Sequence, residues 1–387
     1  MKCDILVIGS GPAGSCAARS AAMTGLKTII IDKKKIIGKD VKCGEGIGEY
    51  LLPYLPFKIP RNQLKWKING MFFWTDNIYV ERTEKRWHGY SIHREEFDKW
   101  LSELAIKENA ELWTESELIG FEINENNYIS KAIINKNTKQ YEILPKIVIA
   151  ADGSESTVLK LLNMYNPTNG DLAEVYSWEM KNLNLYKPHI EQIFTGDFTP
   201  SGYAYIFPKS KKVANIGIGG IYPKHKMRKY FDDFLDLNHV KKQVKNAEYV
   251  IEKSKPAIWN DITDKWIYNN VVLTGDAANQ NLKPFIEGIL PAIICGDIAG
   301  KIASKICFKN NFDENQYTNK VLKKLDIYFK NSKELQMYIG NIFNKEGKEK
   351  YLQFFSIVTE LINYENILEI NKKNYDELKK MILKLKN

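Results

Sequence analysis

Apolar positions along the chain follow two rhythms. Short runs closed by glycine or a polar turn mark buried strands: Ile5-Leu6-Val7-Ile8, Thr28-Ile29-Ile30-Ile31, Ile147 to Ala151 and Val271 to Thr274. Runs that are apolar on every residue fit parallel strands covered on both faces. Between the first two, Ala13 to Met23 is small and helix-compatible, and Gly25 ends it, so the chain opens on a strand–helix–strand unit. Phe97, Trp100, Leu101, Leu104 and Ala105 share one face of a helix over Phe97 to Ala110. A late helix is predicted from about Leu290 to Lys305. Residues 66–82 and 172–222 instead carry strands rich in Trp, Tyr and Phe, with turn residues between them. From about residue 311 the pattern is helical and Lys-rich, with apolar positions that include Leu325, Tyr328, Phe354, Phe355 and Leu368.

The parallel-type strands are dispersed, and the aromatic segment lies between them. This predicts an α/β chain in which two domains interleave. A Rossmann-type nucleotide-binding domain takes residues 1–63, 88–165 and 265–310, a β-rich substrate domain takes 64–87 and 166–264, and a helical C-terminal region takes 311–387.

Composition changes this picture little. With 387 residues, 44% hydrophobic and 27% charged, the chain is ordinary globular material. A net charge of +9 is scattered as single lysines, which fits a solvated surface, or attraction to an anionic lipid surface or an acidic donor protein. Nothing in the pattern points to nucleic acid. The five cysteines form no CxxC pair and the five histidines show no ligand spacing, so neither a disulfide framework, a zinc site nor an iron–sulfur cluster is expected. A reducing cytoplasm is the default compartment. Met1-Lys2-Cys3-Asp4 runs straight into a strand, and no apolar run is long enough to span a bilayer.

The first chemistry-bearing motif is Gly9-Ser10-Gly11-Pro12-Ala13-Gly14, which lies after a strand and opens a helix. Gly9 permits the tight turn, Gly11 lets backbone N–H groups approach a pyrophosphate, Ala13 sits within the turn, and Gly14 allows close helix–strand packing. The helix N-terminus favours the anion. Asp32, at the end of the second strand, is placed to accept hydrogen bonds from the adenosine ribose hydroxyls. There is only one such glycine turn, so electrons are expected from an external donor rather than from a built-in nicotinamide domain.

Downstream, Gly275-Asp276-Ala277-Ala278 closes a buried strand and Gly288-Ile289 opens a helix. This resembles the second flavin motif of the FAD-binding fold of aromatic hydroxylases and their relatives. The resemblance makes the dinucleotide FAD. It implies that Asp276 meets its ribityl and pyrophosphate part, and that Gly288 and Ile289 present N–H groups to the N1/O2 edge of the flavin. Ala151-Asp152-Gly153-Ser154 resembles the middle motif of the same fold, with a helix N-cap as the other reading of Asp152. Arg94 resembles the arginine that contacts the flavin side chain, and Leu118 joins the implied cofactor-binding set.

Two further segments narrow the resemblance. Lys42-Cys43-Gly44-Glu45-Gly46 is similar to the cysteine loop of the geranylgeranyl reductase family, flavoproteins that saturate isoprenoid double bonds. Tyr203-Ala204-Tyr205-Ile206-Phe207-Pro208, followed by Gly217-Ile218-Gly219, resembles that family's YxWxFP…GxG signature, with Tyr205 in place of Trp. The likeness covers roughly residues 3–305. It departs from the family where the usual proline comes one position late, as Pro284, and where Glu287 replaces a glycine. It implies cofactor contacts from Cys43, Gly44 and Gly46, and catalytic roles for Cys43, as a flavin contact that tunes or gates the site or as a proton relay, with a small buried hydrophobe as its other reading, and for Glu45, as loop organiser or proton source.

Saturating an isolated alkene needs a hydride, a proton and a dry apolar site. Trp66, Phe72, Phe73, Trp74, Tyr203, Tyr205 and Phe207 are candidates to line that site, and sheet core is the competing role for each. The implied substrate is a prenyl lipid or isoprenoid diphosphate, the implied donor reduced ferredoxin or another external carrier. Peripheral contact with the inner face of the membrane would draw on basic pairs such as Lys372-Lys373 and Lys379-Lys380. An aromatic hydroxylase or halogenase of the same fold is the alternative reading, and a flavin-binding sensor a further one.

Overall fold

A computed structural model of the chain describes residues 1–309, 313, 315–362 and 373–386. Leu368 and Lys372 lie outside the described residues.

The first sheet is the nucleotide-binding layer. Its centre is β1 (Lys2–Ile8), flanked by the parallel strands β2 (Thr28–Ile31) and β11 (Lys139–Ala150), then β8 (Glu111–Trp113) and β19 (Val271–Leu273), with β18 (Ile267–Tyr268) antiparallel at one edge. The four all-apolar runs read from the sequence are the buried ends of β1, β2, β11 and β19. Ile5, Val7, Ile30, Ile147 and Ile149 face a layer of helices: α1 (Pro12–Ala22), α2 (Arg94–Lys107) and α6 (Ile289–Lys309). Leu6, Ile8, Ile29, Ile31 and Val148 face the other way, onto a meander in which β9 (Ser116–Ile123) and β10 (Ile129–Lys136) run back into the long β11.

Helices α1 and α6 pack backbone to backbone. A Cβ on Gly296 would lie 2.2 Å from the Ala13 carbonyl oxygen, and one on Gly300 would lie 2.1 Å from that of Ala17. Small residues at both contacts are what permit so close an approach. The order of these contacts also makes the two helices run the same way. Ile289 stands further ahead of Gly296 than Pro12 does of Ala13, so α6 starts roughly 9 Å beyond the start of α1 at 1.5 Å per residue.

The second sheet is the aromatic one. Its order is β16 (Glu248–Glu252), β12 (Leu172–Lys181), β15 (Ala214–Gly220), β14 (Gly202–Pro208), β13 (Glu191–Thr195), β5 (Met71–Thr75) and β6 (Ile78–Arg82). All neighbours are antiparallel except β13 and β5. Its outer face carries Phe72, Phe194, Ala204 and Ile206 and packs on α4 (Met227–Leu235) and α5 (Asn238–Val244). Its inner face carries Met71, Phe73, Ile193 and Tyr205. That face is covered by the C-terminal helices α7 (Asn315–Phe343, kinked at Leu325), α8 (Glu349–Val358) and α9 (Tyr375–Lys386).

A small third sheet joins the two layers. In it β7 (Gly89–Ser91) lies between β3 (Gly46–Gly48) and β4 (Trp66–Ile68). The expected boundary near residue 64 therefore cuts through a sheet, because Trp66 pairs directly with Ser91.

Candidate active site

The glycine turn is built for a ligand. Gly9 has φ +97°, and a Cβ there would lie 2.5 Å from the Ala151 carbonyl oxygen. Gly14 packs so tightly that a Cβ would lie 1.9 Å from the Gly9 carbonyl oxygen. Gly11 differs from both, since no atom lies within 4 Å of the place its Cβ would take. Gly11 caps α1 with no side-chain hydrogen bond, so the first N–H groups of the helix point at that open space. Asp32 closes the turn from the next strand, its carboxylate accepting hydrogen bonds from the backbone N–H of Ser10 at 2.8 Å and of Lys34 at 2.9 Å.

The second motif lies against the first. Gly275 has φ +67°, and a Cβ there would come within 2.8 Å of Ala13. Asp276 Oδ1 sits 3.2 Å from the place of a Cβ on Gly288, at the start of α6. An open cradle over Gly11, a carboxylate on either side and a second helix start some 9 Å further on together match an extended dinucleotide. In such a fit the start of α1 would hold the pyrophosphate, and Gly288 and Ile289 would lie toward the far ring. The residues present fit FAD.

The cysteine loop lies toward this far end, against the second sheet. Gly44 is pressed against Phe207, whose ring lies 3.0 Å from the place of a Cβ. Phe207 stacks on Tyr205 at 4.4 Å between ring centres. Gly217 makes room for Tyr205, because a Cβ there would lie 2.5 Å from the phenol oxygen. The glycine of the distal signature thus exists to seat the aromatic ring of the proximal one. Burial pushes the Tyr205 hydroxyl up to about 12. Tyr203 donates a hydrogen bond to the Phe285 carbonyl at 3.0 Å, and its ring stacks on Phe354 of α8. Cys43 is half-buried, and its sulfur accepts a hydrogen bond from the Glu45 N–H at 3.3 Å. Arg94 is largely buried and bidentate to Asp98, both bonds 2.7 Å, and it also interacts with the Cys43 side chain. Burial disfavours the guanidinium charge, but Asp98 outweighs it and keeps Arg94 protonated.

Glu45 has φ +65° and is almost wholly buried. Its carboxylate accepts hydrogen bonds from the Arg94 N–H at 3.0 Å, Asn215 Nδ2 at 3.1 Å and Lys253 Nζ at 2.8 Å, and it pairs with Lys209 Nζ at 2.5 Å. Burial alone would raise its pKa, but Lys209 and Lys253 reverse this and hold it at about 2. An acid kept ionised at neutral pH gives up no proton, so the expectation of Glu45 as a proton source is corrected. It is a positioning residue that bolts the cysteine loop to the start of α2 and to the second sheet. Glu287, the departure from the family glycine, has a similar use: it accepts hydrogen bonds from the Gly48 N–H at 2.8 Å and the Tyr50 hydroxyl at 2.6 Å.

The other expected residues divide. Tyr203, Tyr205, Phe207 and Phe73 share the inner face. Trp74 does not: strand alternation turns it and Phe72 outward, against Phe194 and Phe198. Trp74 therefore falls outside any pocket over the inner face. Trp66 is in the small sheet, stacked on His189. Asp152 takes the helix-start role: its carboxylate accepts hydrogen bonds from the Ser156 hydroxyl at 2.8 Å and the Val158 N–H at 2.9 Å. The Leu118 side chain is core beneath the meander. Cys3, Cys16 and Cys295 are buried, and Cys307 half-buried, in the packing of the first sheet. No helix among the described residues is long and apolar enough to cross a membrane.

Comparison with known proteins agrees with this geometry. Residues 4–159 match the family model for FAD dependent oxidoreductases, and residues 171–255 match the geranylgeranyl reductase catalytic domain. A digeranylgeranylglycerophospholipid reductase of Thermoplasma acidophilum is 34% identical over 247 residues, spanning 61% of this chain and 62% of that protein. Reductase 3 of that name from Methanosphaera stadtmanae is 35% identical over 71% of this chain and 70% of its own length. The crystal structure of a geranylgeranyl bacteriochlorophyll reductase-like protein from Thermoplasma acidophilum superposes with a TM-score of 0.80 at 26% identity, covering 99% of each chain. A halogenase solved with phloroglucinol and FAD shares the fold at a TM-score of 0.71, with 15% identity over 96% of this chain and 82% of its own. At that identity the likeness speaks for the fold alone. The cofactor of this site is FAD.

Proposed function

Starting from the fact that this chain belongs to the digeranylgeranylglycerophospholipid reductase family, we propose that it saturates carbon–carbon double bonds in the geranylgeranyl or other isoprenoid chains of lipids. FAD, when bound and reduced, supplies the hydride. The chain's own residues do the rest. Gly9 to Gly14 and Asp32 hold the nucleotide half, and Asp276, Gly288 and Ile289 receive the flavin half. Arg94 and Glu45 fix the Cys43 loop, while Tyr203, Tyr205 and Phe207, roofed by α8, exclude water from an apolar chain. Electron-rich ring faces there stabilise positive charge that develops on the alkene.

The observation that carries this reading is the seating of the cysteine loop on the signature strand: Gly44 against Phe207, with Tyr205 stacked behind it. A single glycine turn supports an external electron donor such as reduced ferredoxin. Peripheral membrane contact from the cytoplasmic side is part of the same proposal. It is supported by exposed Leu383 and Leu385 beside exposed Lys380 and Lys384 on α9, whereas Lys379 is engaged by Asp76.

The test uses FAD-loaded protein reduced with dithionite and mixed with geranylgeranyl lipids under anaerobic conditions. Flavin reoxidation, with a mass gain of one dihydrogen per reduced bond in the recovered lipid, is the expected result. No reoxidation with any prenyl substrate, or NADPH consumption stimulated by a phenol, would refute it and favour an oxygenase.

A further inference from the structure

We propose that Glu191 is the proton donor of this site, delivering its carboxyl proton to one carbon of the substrate double bond while the other carbon takes the hydride. The proposal rests on the functional reading above and adds the acid that reading leaves unassigned.

Position is the first argument. Glu191 opens β13, paired with Met71, two residues ahead of Ile193. Strand alternation therefore places it on the inner face, with Phe73 and Tyr205. The register that pairs Gln192 with Ile206 sets Glu191 beside Phe207. Its Oε1 lies 2.9 Å from the place of a Cβ on Gly46, so it abuts the cysteine loop. It also acts electrostatically on Tyr203 and feels Glu287, the residue directly before Gly288. The carboxyl thus stands where loop, signature strand and the start of α6 converge.

Availability is the second. The neighbouring acids and hydroxyls are engaged: Glu45 by two lysines, Glu287 by Tyr50 and Gly48, Tyr203 by Phe285 and Tyr205 by Ser177. Among the described residues the Glu191 carboxyl makes no hydrogen bond or ion pair. Protein surrounds it, yet the residue keeps some exposure to solvent.

Protonation is the third. Burial, and then repulsion from Glu287, push Glu191 up to about 8, so it carries its proton at neutral pH. The elements packed on it bring no compensating cation. β3 contributes Gly46, β5 contributes Met71, β14 contributes Tyr203, the turn before α6 contributes Glu287, and nearby His189 is stacked on Trp66 with Nδ1 at the Lys67 carbonyl. The step balances. The O–H bond of Glu191 breaks, the alkene π pair forms the new C–H bond with that proton, and the second carbon bonds the hydride from reduced FAD. The carboxylate left behind recovers a proton from solvent.

Two measurements on the holoenzyme test this. In infrared difference spectra of wild type against Glu191→Gln, a protonated-carboxyl band should titrate with a midpoint near pH 8, and Glu287→Gln should move that midpoint down, since it removes the like charge. In single-turnover reoxidation by a geranylgeranyl lipid, Glu191→Gln should slow the reaction by about 100-fold or more with FAD retained. The wild-type rate should fall above the same midpoint, and Glu287→Gln should move that fall to lower pH. Wild-type speed in Glu191→Gln, or no protonated-carboxyl band at neutral pH, would overturn the donor role alone. Failure of the wild-type enzyme to react with any prenyl lipid would overturn the functional reading, and the donor role with it.

Discussion

Replacing Glu45 by Gln should cost the protein roughly 3 kcal/mol at neutral pH. A carboxyl held at about 2 instead of its ordinary 4.5 is worth, at about 1.36 kcal/mol per pH unit, some 3 kcal/mol to the folded state. That figure agrees with the roughly 3–5 kcal/mol that follows when one partner of a buried ion pair is removed. The loss falls on two buried lysines at once. Lys209 and Lys253 keep Glu179 at 2.6 and 3.5 Å but lose the charge between them. The sign follows from the depressed pKa. The contribution is complete above pH about 4.5 and fades as pH falls toward 2, so the gap between wild type and Glu45→Gln should shrink to about half near pH 3. Urea titrations followed by tryptophan fluorescence at pH 7, 5 and 3 measure both. Adding Lys253→Met to Glu45→Gln should cost less than the sum of the single changes, because the second removes a charge the first has stranded. A cost under about 1 kcal/mol at pH 7, or a gap that does not narrow in acid, would refute the bolt.

The second and third glycines of the nucleotide turn should separate binding from folding. Gly11→Ala places a methyl in open space, so the apoprotein should unfold at the wild-type urea concentration yet bind FAD at least about 10-fold more weakly by fluorescence quenching. Gly14→Ala forces a methyl onto the Gly9 carbonyl and should destabilise the apoprotein itself. On the aromatic sheet, Trp74→Phe should leave the rate and products of lipid reduction unchanged, since that ring faces α4. Tyr203→Ala, which opens the wall between Phe285 and Phe354, should change which double bonds are reduced, as read by mass spectrometry of the products.

Much of this architecture was legible because its signals are local. The turn at Gly9, the carboxylate at Asp32 and the pair Asp276–Gly288 each announce themselves within a few residues, and the all-apolar strands need no partner to be read. The outward turn of Trp74 was legible too, since Phe73 alternates with Phe72 and Trp74 and only one set can share a face with Tyr203. Grouping those residues by aromatic character overlooked that alternation. The partners of Glu45 are a different matter. Asn215 and Lys253 lie 170 and 208 residues away, and nothing in their own neighbourhoods marks them.

The same distinction explains why the far end of the site resists reading from sequence. A pyrophosphate is bound by backbone N–H groups, and backbone demands glycine, which leaves a visible motif. An apolar chain and a proton donor are served by side chains brought together from separate elements. Phe354 reaches Tyr203 from the C-terminal helices, and Glu191 reaches Gly46 from a strand more than a hundred residues on. Among the described carboxylates beside the cysteine loop, Glu191 is set apart by what it lacks, a partner, and by where it lies, next to a second acid. Both are properties of the fold. The chemistry proposed for the reaction is thus written in contacts of the second sheet with the cysteine loop and the C-terminal helices, while the cofactor that drives it is written in a single turn.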